Sequence, residues 1–147
     1  MTNGASSLGV VVVTHGQLAT ELLNAAEMIV GDLPRFTAVS IGWHDDVDVA
    51  RGAIEQAIAK VDTGAGVLLL TDMFGGTPSN LGLTFLDAGR VEVITGVNLP
   101  MLIKLAKAPD GRNMRDLASE MCDHGRAAIR VASDFLRADR EPSGREG

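Results

Sequence analysis

Cysteine and aromatic residues are scarce in this chain of 147 residues. Cys122 is the only cysteine, which excludes a disulfide within the chain and indicates a reducing compartment. Tyrosine is absent, and the four phenylalanines and one tryptophan bring the aromatic share to only 3%. The hydrophobic core must therefore be aliphatic, and the chain offers few of the rings on which the bases of single-stranded nucleic acids stack.

Positive charge is also in short supply. The 13 lysines and arginines are outnumbered by 19 aspartates and glutamates, which gives a formal net charge of −6. Because binding to a nucleic-acid backbone requires a basic surface, the sequence excludes a nucleic-acid partner. Apolar runs long enough to span a bilayer are missing, and the first residues, MTNGASSLG, lack the positive region of a signal peptide. We expect a cytoplasmic protein.

Short apolar runs alternate with segments of helical spacing. With 46% hydrophobic and 22% charged residues, the chain is expected to form one globular domain over residues 1–138, followed by a polar tail over 139–147. The apolar runs predict four strands, at 9–14, 36–41, 66–71 and 91–95. Strands that alternate with helices are typical of an α/β fold with a mainly parallel sheet and right-handed crossovers.

Composition also predicts the order of the strands. The first and third runs are apolar throughout, as strands buried on both faces must be, whereas the second and fourth include Thr37, Ser40 and Glu92. An open, doubly wound sheet of order 2-1-3-4, with helices on both faces, places the apolar strands at the centre. In that order the crossovers after strands 1 and 3 leave on opposite sides and open a crevice at the carboxyl ends of these strands.

Helical periodicity predicts which residues the helices bury. The first helix carries four apolar residues on one face: Leu18, Leu22, Ala25 and Ile29. The second carries a similar set: Ala50, Ile54, Ala57 and Val61. Thr77 is expected to cap the third helix and Asn98 the fourth. The last is predicted as one helix from about Asn113 to Arg137.

Two residues that could carry chemistry follow the central strands. His15 comes at the end of the first run and Asp72 at the end of the third. Because these strands are neighbours in the predicted sheet, both side chains should reach the crevice. A carboxylate that accepts a hydrogen bond from one ring nitrogen fixes the histidine tautomer and leaves the lone pair of the other nitrogen free as a nucleophile. The alternative is that each is an ordinary loop residue.

A glycine-rich loop follows Asp72. Gly75 and Gly76 permit a tight loop, and Thr77 adds a hydroxyl group at the start of a helix. Backbone N–H groups at such a position bind phosphoryl oxygens, although the same pattern is common at ordinary junctions between loop and helix. The histidine, the aspartate and this loop together predict phosphoryl transfer through a phosphohistidine.

A resemblance to a known family rests on three segments: VVVTHGQLATELLNAAEMIVG, LLLTDMFGGTPSN and ITGVNLPML. Over about residues 8–137, the chain resembles the mannose-type EIIA component of the bacterial phosphoenolpyruvate-dependent sugar phosphotransferase system. The resemblance implies that His15 is phosphorylated at Nε2 and that Asp72 hydrogen-bonds its ring. It also implies that the hydroxyl group of Thr77 donates to a phosphoryl oxygen.

The same resemblance implies protein partners. Phospho-HPr would donate the phosphoryl group and an EIIB protein would accept it, with the membrane reached only indirectly through EIIC and EIID. A homodimer and a sheet of order 2-1-3-4 are implied, often with an antiparallel edge strand built from C-terminal residues. Because the chain ends shortly after the matching region, EIIB is expected to be a separate chain, and the last segment is predicted as helix rather than as that strand.

Other side chains near the predicted crevice suggest less specific roles. Met73 and Phe74 could form an apolar landing surface for a partner, and His44 could bind a partner, shuttle a proton or simply be a solvated loop residue. Three carboxylates open the second helix: Asp45, Asp46 and Asp48. Because carboxylates are favourable at a helix N-terminus, neither a metal nor any other cofactor is expected.

The sequence therefore predicts a cytoplasmic phosphocarrier, a phosphotransferase component that holds the transferred group on His15. Two alternatives stay open. One is a phosphoryl-relay subunit for dihydroxyacetone kinase, which shares this fold and a comparable histidine. The other is a regulatory protein whose phosphorylation state controls a partner without sugar transport.

Overall fold

Parallel strands alternate with helices along residues 7–140, the part of the chain that this computed structural model describes. The four strands are β1 (Gly9–His15), β2 (Phe36–Ile41), β3 (Val67–Thr71) and β4 (Val91–Thr95). The helices are α1 (Leu18–Val30), α2 (Val47–Val61), α3 (Thr77–Leu83), α4 (Leu99–Ala106), α5 (Met114–Ala127) and α6 (Ala132–Arg140). All four predicted strands are present, each within one residue of its expected bounds.

The strand order is β2-β1-β3-β4 and all three pairs are parallel, as predicted. The central strands β1 and β3 are buried along nearly their whole length, whereas β2 and β4 contain partly exposed residues. Within residues 7–140 the sheet contains no antiparallel edge strand, and the last described segment is α6. Residues 141–147, most of the predicted polar tail, lie outside the described part of the chain.

Helices cover both faces of the sheet. On one face, α1, α4 and α5 form a core with Val12 and Leu70. On the other, α2 and α3 pack against Val13 and Leu69. The helices that follow β1 and β3 thus lie on opposite faces, so that a crevice opens between the carboxyl ends of these two strands.

The buried face of α2 agrees with the prediction, since Ala50, Ile54, Ala57 and Val61 are all buried. The buried face of α1 was predicted incorrectly. Leu18 and Ile29 are 46% and 58% exposed, and the fully buried residues are Ala19 and Ala26. These small side chains let the backbone of α1 lie close to the sheet, which a pattern based on large apolar residues does not anticipate.

The prediction of one long final helix is wrong. The chain leaves helical geometry after Ala127 and resumes it at Ala132. Ile129 and Val131 lie in the break, and β-branched residues are poorer helix formers than the residues around them. Residues 132–137 are all exposed, Phe135 at 50%, so none of these described side chains makes a core contact that would hold α6 in line with α5.

Of the two predicted helix caps, one is correct. The side chain of Asn98 caps α4, accepting a hydrogen bond from the N–H group of Met101 at 3.1 Å. Thr77 does not cap α3, because Gly76 holds the N-cap position and Thr77 is the first helical residue. With a φ of 89°, Gly76 adopts a backbone conformation that favours glycine over threonine.

Gly9 leaves no room for a side chain where β1 meets the end of α2. A Cβ atom there would lie 2.4 Å from the carbonyl oxygen of Val61, which is backbone and cannot move without the helix. We expect Gly9→Ala to lower the free energy of unfolding by about 1–3 kcal/mol through overpacking. Urea denaturation followed by circular dichroism measures the change.

Gly52 provides the matched control. It lies inside α2, and a Cβ atom there would meet no atom outside its own helix within 4 Å. Gly52→Ala replaces a poor helix former by the best one and should raise the free energy of unfolding by about 0.5–1 kcal/mol. Equal effects of the two substitutions would contradict the close packing of β1 against α2.

Candidate functional site

A histidine and a carboxylate meet at the carboxyl edge of the sheet. His15 is the last residue of β1, and Asp72 directly follows the neighbouring strand β3. The ring Nδ1 of His15 lies 2.8 Å from Oδ2 of Asp72. The backbone N–H group of His15 donates to the same oxygen at 3.1 Å. The structure therefore brings the two central predicted residues together, with the carboxylate bonded to both the ring and the backbone of the histidine.

This contact assigns the tautomer of His15. An ionised carboxylate can only accept hydrogen bonds, so in the neutral ring Nδ1 carries the proton and Nε2 carries the lone pair. The side chain of His15 is 50% exposed, whereas that of Asp72 is 13% exposed. The ring is thus accessible from solvent, while the carboxylate that orients it is shielded.

Gly76 lies against the other side of the imidazole. A Cβ atom at this position would lie 3.1 Å from both Nε2 and Cε1 of His15. Gly75 has a similar positive φ, 96° against 89°, but a Cβ atom there would meet nothing within 4 Å. Backbone conformation therefore favours glycine at both positions, and only at Gly76 does the histidine ring also require it.

The loop that holds the predicted phosphoryl-binding residues is thereby placed beside Nε2. The first hydrogen bond of α3 runs from the N–H group of Asn80 to the carbonyl oxygen of Gly76, at 2.9 Å. The N–H group of Thr77, one of the first in the helix, consequently has no partner within α3. The side chain of Thr77 is exposed. Its N–H and hydroxyl groups, together with the N–H groups of Gly75 and Gly76, can donate to an anion bound near Nε2.

Thr14 supports the site in a way that the sequence analysis missed. Its buried Oγ1 accepts a hydrogen bond from the N–H group of Ala19 at 2.7 Å. The same hydroxyl lies 3.1 Å from the carbonyl oxygen of His15, to which it donates. Gln17, at the N-cap position of α1, provides no side-chain cap. Thr14 therefore caps α1 from the preceding strand and links the start of the helix to the backbone of His15. The sequence feature that could have indicated this role is a hydroxyl residue at the end of an apolar run.

Asp72 keeps one oxygen unused. Its Oδ1 is buried and has no hydrogen-bond partner among the described residues. The hydrogen bonds that this carboxylate accepts from described residues therefore all come from His15, at Oδ2. Its negative charge is directed at the histidine and is not shared with a second donor of the described chain.

The predicted partner-binding residues all lie in loops at the same edge of the sheet. Met73 and Phe74 follow Asp72 and are 53% and 75% exposed. His44 is exposed in the loop after β2, edge-on to the ring of Trp43 with 6.3 Å between centroids. Trp43, which is 91% exposed, was not singled out from the sequence.

The carboxylates after β2 serve the local backbone. Asp45 accepts a hydrogen bond from the N–H group of Gly42 at 2.6 Å, and Asp46 caps α2. Within residues 7–140, no group of three or more histidine, cysteine or acidic side chains is arranged to hold a metal ion. None of the helices in this range combines the length and apolar character needed to cross a membrane.

Known proteins share both this sequence pattern and this fold. Residues 9–122 match the family model EIIA-man, described as the PTS system fructose IIA component. The PTS system mannose-specific EIIAB component of Escherichia coli is 35% identical in an alignment of 132 positions, which covers 85% of this chain but only 39% of that protein. The PTS system fructose-specific EIIA component of Bacillus subtilis is 26% identical over 130 residues, 88% of this chain and 89% of that protein.

A solved structure gives the same result. The PTS IIA protein associated with the fucose utilization operon of Streptococcus pneumoniae superposes with a TM-score of 0.80 at 25% identity, covering 90% of this chain and 98% of that chain. The family model covers the strands β1 to β4 and both residues of the histidine–aspartate pair. This chain therefore belongs to the mannose- and fructose-type IIA components of the phosphotransferase system.

Proposed function

We propose that this protein is a phosphocarrier that accepts a phosphoryl group from phospho-HPr on Nε2 of His15 and passes it to an EIIB partner. The observation that carries the proposal is the 2.8 Å hydrogen bond between Nδ1 of His15 and Asp72. This bond leaves Nε2 with its lone pair on an exposed ring. Family membership supports the same reaction, because the matching proteins are components of a phosphotransferase system.

In the proposed transfer, the lone pair of Nε2 attacks the phosphorus atom of the donor phosphohistidine, in line with the P–N bond that breaks. The electron pair of that bond returns to the donor nitrogen. The ring of His15 gains positive charge as its own P–N bond forms, and Asp72 stabilises this charge through the Nδ1–H group. Attack on the same phosphorus by an EIIB nucleophile then returns His15 to its neutral form.

The loop after β3 would hold the phosphoryl oxygens. Gly76 lies beside the attacking nitrogen, and Gly75 and Thr77 are its neighbours in the chain, so their N–H groups would be available to the phosphoryl oxygens and the hydroxyl group of Thr77 would add a further donor. Asp72 and the phosphoryl group carry like charges, and their repulsion would keep the adduct labile enough to be passed on. Positioning and electrostatics thus supply the catalysis, as expected for phosphoryl transfer.

The similar proteins are named for mannose and fructose systems, which favours a role in sugar phosphorylation over the two alternatives. We include in the proposal a cytoplasmic homodimer that meets the membrane only through EIIC and EIID. Met73, Phe74 and His44 would contact the protein partners in this assembly, because their exposed side chains lie in the loops beside the site.

The replacement His15→Gln should abolish phosphorylation. The test incubates the protein with phosphoenolpyruvate, Enzyme I and HPr and measures the intact mass, since a phosphohistidine adds one phosphoryl group that is labile in acid and stable in base. His124→Gln, on α5, is the control and should be phosphorylated like the parent protein. A phosphoryl increment that survives in His15→Gln would overturn the proposal.

The replacement Asp72→Asn should slow phosphorylation by about 10²–10⁴-fold, because it removes the negative charge that stabilises the ring during transfer. The side chain keeps its shape, so the fold should be retained, and circular dichroism checks this. Rapid-quench measurement of the single-turnover rate at saturating phospho-HPr isolates the chemical step. A rate equal to that of the parent protein would show that Asp72 only orients the ring.

The replacement Gly76→Ala should impair transfer more than Gly75→Ala does. Both substitutions strain a backbone with positive φ, but only the alanine at position 76 presses on Nε2 and Cε1 of His15. We expect the single-turnover rate of Gly76→Ala to be about 10- to 100-fold below that of Gly75→Ala, because a small displacement of the nucleophile is costly. Equal rates would mean that the close approach of Gly76 has no catalytic consequence.

A further inference from the structure

Trp43 is the only tryptophan of the chain, and its side chain is left in solvent. At 91% exposure, it is the most exposed large hydrophobic residue in the described part of the protein. It adds nothing to the core, so folding does not account for an indole at this position. Exposed tryptophans are, however, over-represented among the residues that supply most of the binding energy in protein interfaces.

The chain places Trp43 beside the histidine. β2 ends at Ile41, which is the register partner of His15. The N–H group of Gly16 donates to the carbonyl oxygen of Ile41 at 2.8 Å, so the loop after β1 and the loop after β2 are hydrogen-bonded where they begin. Trp43 follows two residues after this contact and therefore lies on the rim of the crevice, on the β2 side.

The loop that carries Trp43 has a defined shape. The N–H group of Gly42 donates to Oδ2 of Asp45 at 2.6 Å, and the N–H group of Asp45 donates back to the carbonyl oxygen of Gly42 at 3.3 Å. Asp46 then caps α2 through the N–H groups of Asp48 and Val49. A side chain on such a fixed turn loses less conformational entropy on binding than one on a loose segment.

Exposed apolar side chains flank His15 on both sides. Because β1 lies between β2 and β3, the loop with Trp43 borders the histidine on one side and the loop with Met73 and Phe74 borders it on the other. A partner that brings a phosphoryl group to Nε2 must cover this edge. The apolar residues on either side can supply the water-excluding contacts of such an interface.

Charge indicates which partner fits the β2 side. Three carboxylates lie shortly after Trp43 in the chain, at Asp45, Asp46 and Asp48, and all are exposed. The chain as a whole has a net charge of −6. A donor that stabilises its own phosphohistidine presents positively charged groups around an anion, and those groups are complementary to this acidic rim.

We propose that Trp43 is the aromatic anchor through which phospho-HPr docks on the β2 side of His15. The proposal rests on the proposed phosphocarrier function and adds a binding determinant to it. Trp43 contributes affinity for the donor protein and takes no part in the chemical step. Its loss therefore raises KM for phospho-HPr and leaves kcat unchanged.

The experiment compares Trp43→Ala with Met28→Ala. Met28 is 87% exposed but lies near the end of α1, away from the carboxyl edge of the sheet. Initial phosphorylation rates over a range of phospho-HPr concentrations should show KM raised about 10- to 30-fold in Trp43→Ala, as for an interface hot spot, and unchanged in Met28→Ala. Trp43→Phe should recover most of the affinity.

A second measurement needs no phosphorylation. Trp43 is the only intrinsic tryptophan fluorophore, so its emission should shift to shorter wavelength when an HPr variant without tryptophan is titrated into the unmodified protein. His15→Gln should show the same shift, because docking precedes chemistry. An unchanged emission spectrum at saturating HPr would overturn the proposal.

The remaining outcomes separate the two proposals. If the parent protein is phosphorylated on His15 and Trp43→Ala has the KM of Met28→Ala, the docking proposal is wrong and the phosphocarrier function stands. If the parent protein is not phosphorylated by phospho-HPr, the proposed phosphocarrier function is wrong, and the docking proposal that rests on it is wrong as well. An unchanged KM together with a changed sedimentation coefficient in Trp43→Ala would assign the tryptophan to contact with a second copy of the chain. An effect on transfer to EIIB alone would assign it to the acceptor. Either result overturns the proposal.

Discussion

The geometry of the site depends on one nonlocal hydrogen bond, between Nδ1 of His15 and Oδ2 of Asp72, which are 57 positions apart in the chain. They meet because β1 and β3 are parallel neighbours whose register pairs Val13 with Thr71. A slip of one residue would turn every side chain of a strand to the opposite face of the sheet. The core packing that fixes this register therefore also fixes the tautomer of the histidine. In this protein the apolar residues of the two central strands determine the chemistry of the site as well as the stability of the fold.

Different features of the structure act on the two nitrogens of the His15 ring. Asp72 holds Nδ1 through a hydrogen bond, and Gly76 leaves space at Nε2 because it has no side chain. Thr14 donates a hydrogen bond to the carbonyl oxygen of His15 and also caps α1, which links the backbone of the histidine to the start of that helix. The ring is consequently fixed in orientation and open at the nitrogen that would receive the phosphoryl group. Such a preorganised nucleophile needs little rearrangement when a partner arrives, which suits a protein proposed to exchange one group between two partners.

The sequence predicted the strand order and the histidine–aspartate pair for the same physical reason. Strands buried on both faces are apolar throughout, so the composition of the strands predicts that β1 and β3 are neighbours. Parallel strands present their carboxyl ends at a common edge, so His15 and Asp72, which lie at these ends, are expected to meet. The features that it missed depend on tertiary contacts. Thr14 serves a helix that begins four residues later, and the break before Ala132 reflects missing core contacts as well as the β-branched residues within it. Trp43 contributes nothing to periodicity, and only its exposure reveals it.

Asp72 shows that folding and phosphoryl transfer make different demands on the same residue. Its buried Oδ1 has no partner among the described residues, and an unsatisfied buried oxygen costs about 1–3 kcal/mol of stability. A donor to that oxygen would draw negative charge away from His15. In the proposed transfer the ring gains and loses positive charge in each cycle. A carboxylate that is hydrogen-bonded to the histidine alone stabilises the positively charged ring with its full negative charge. The exposed Trp43 adds nothing to folding, because its side chain is in water in both the folded and the unfolded chain, whereas its burial against a partner would be favourable. Neither feature stabilises the isolated fold, and each is explained by the proposed transfer and its partner.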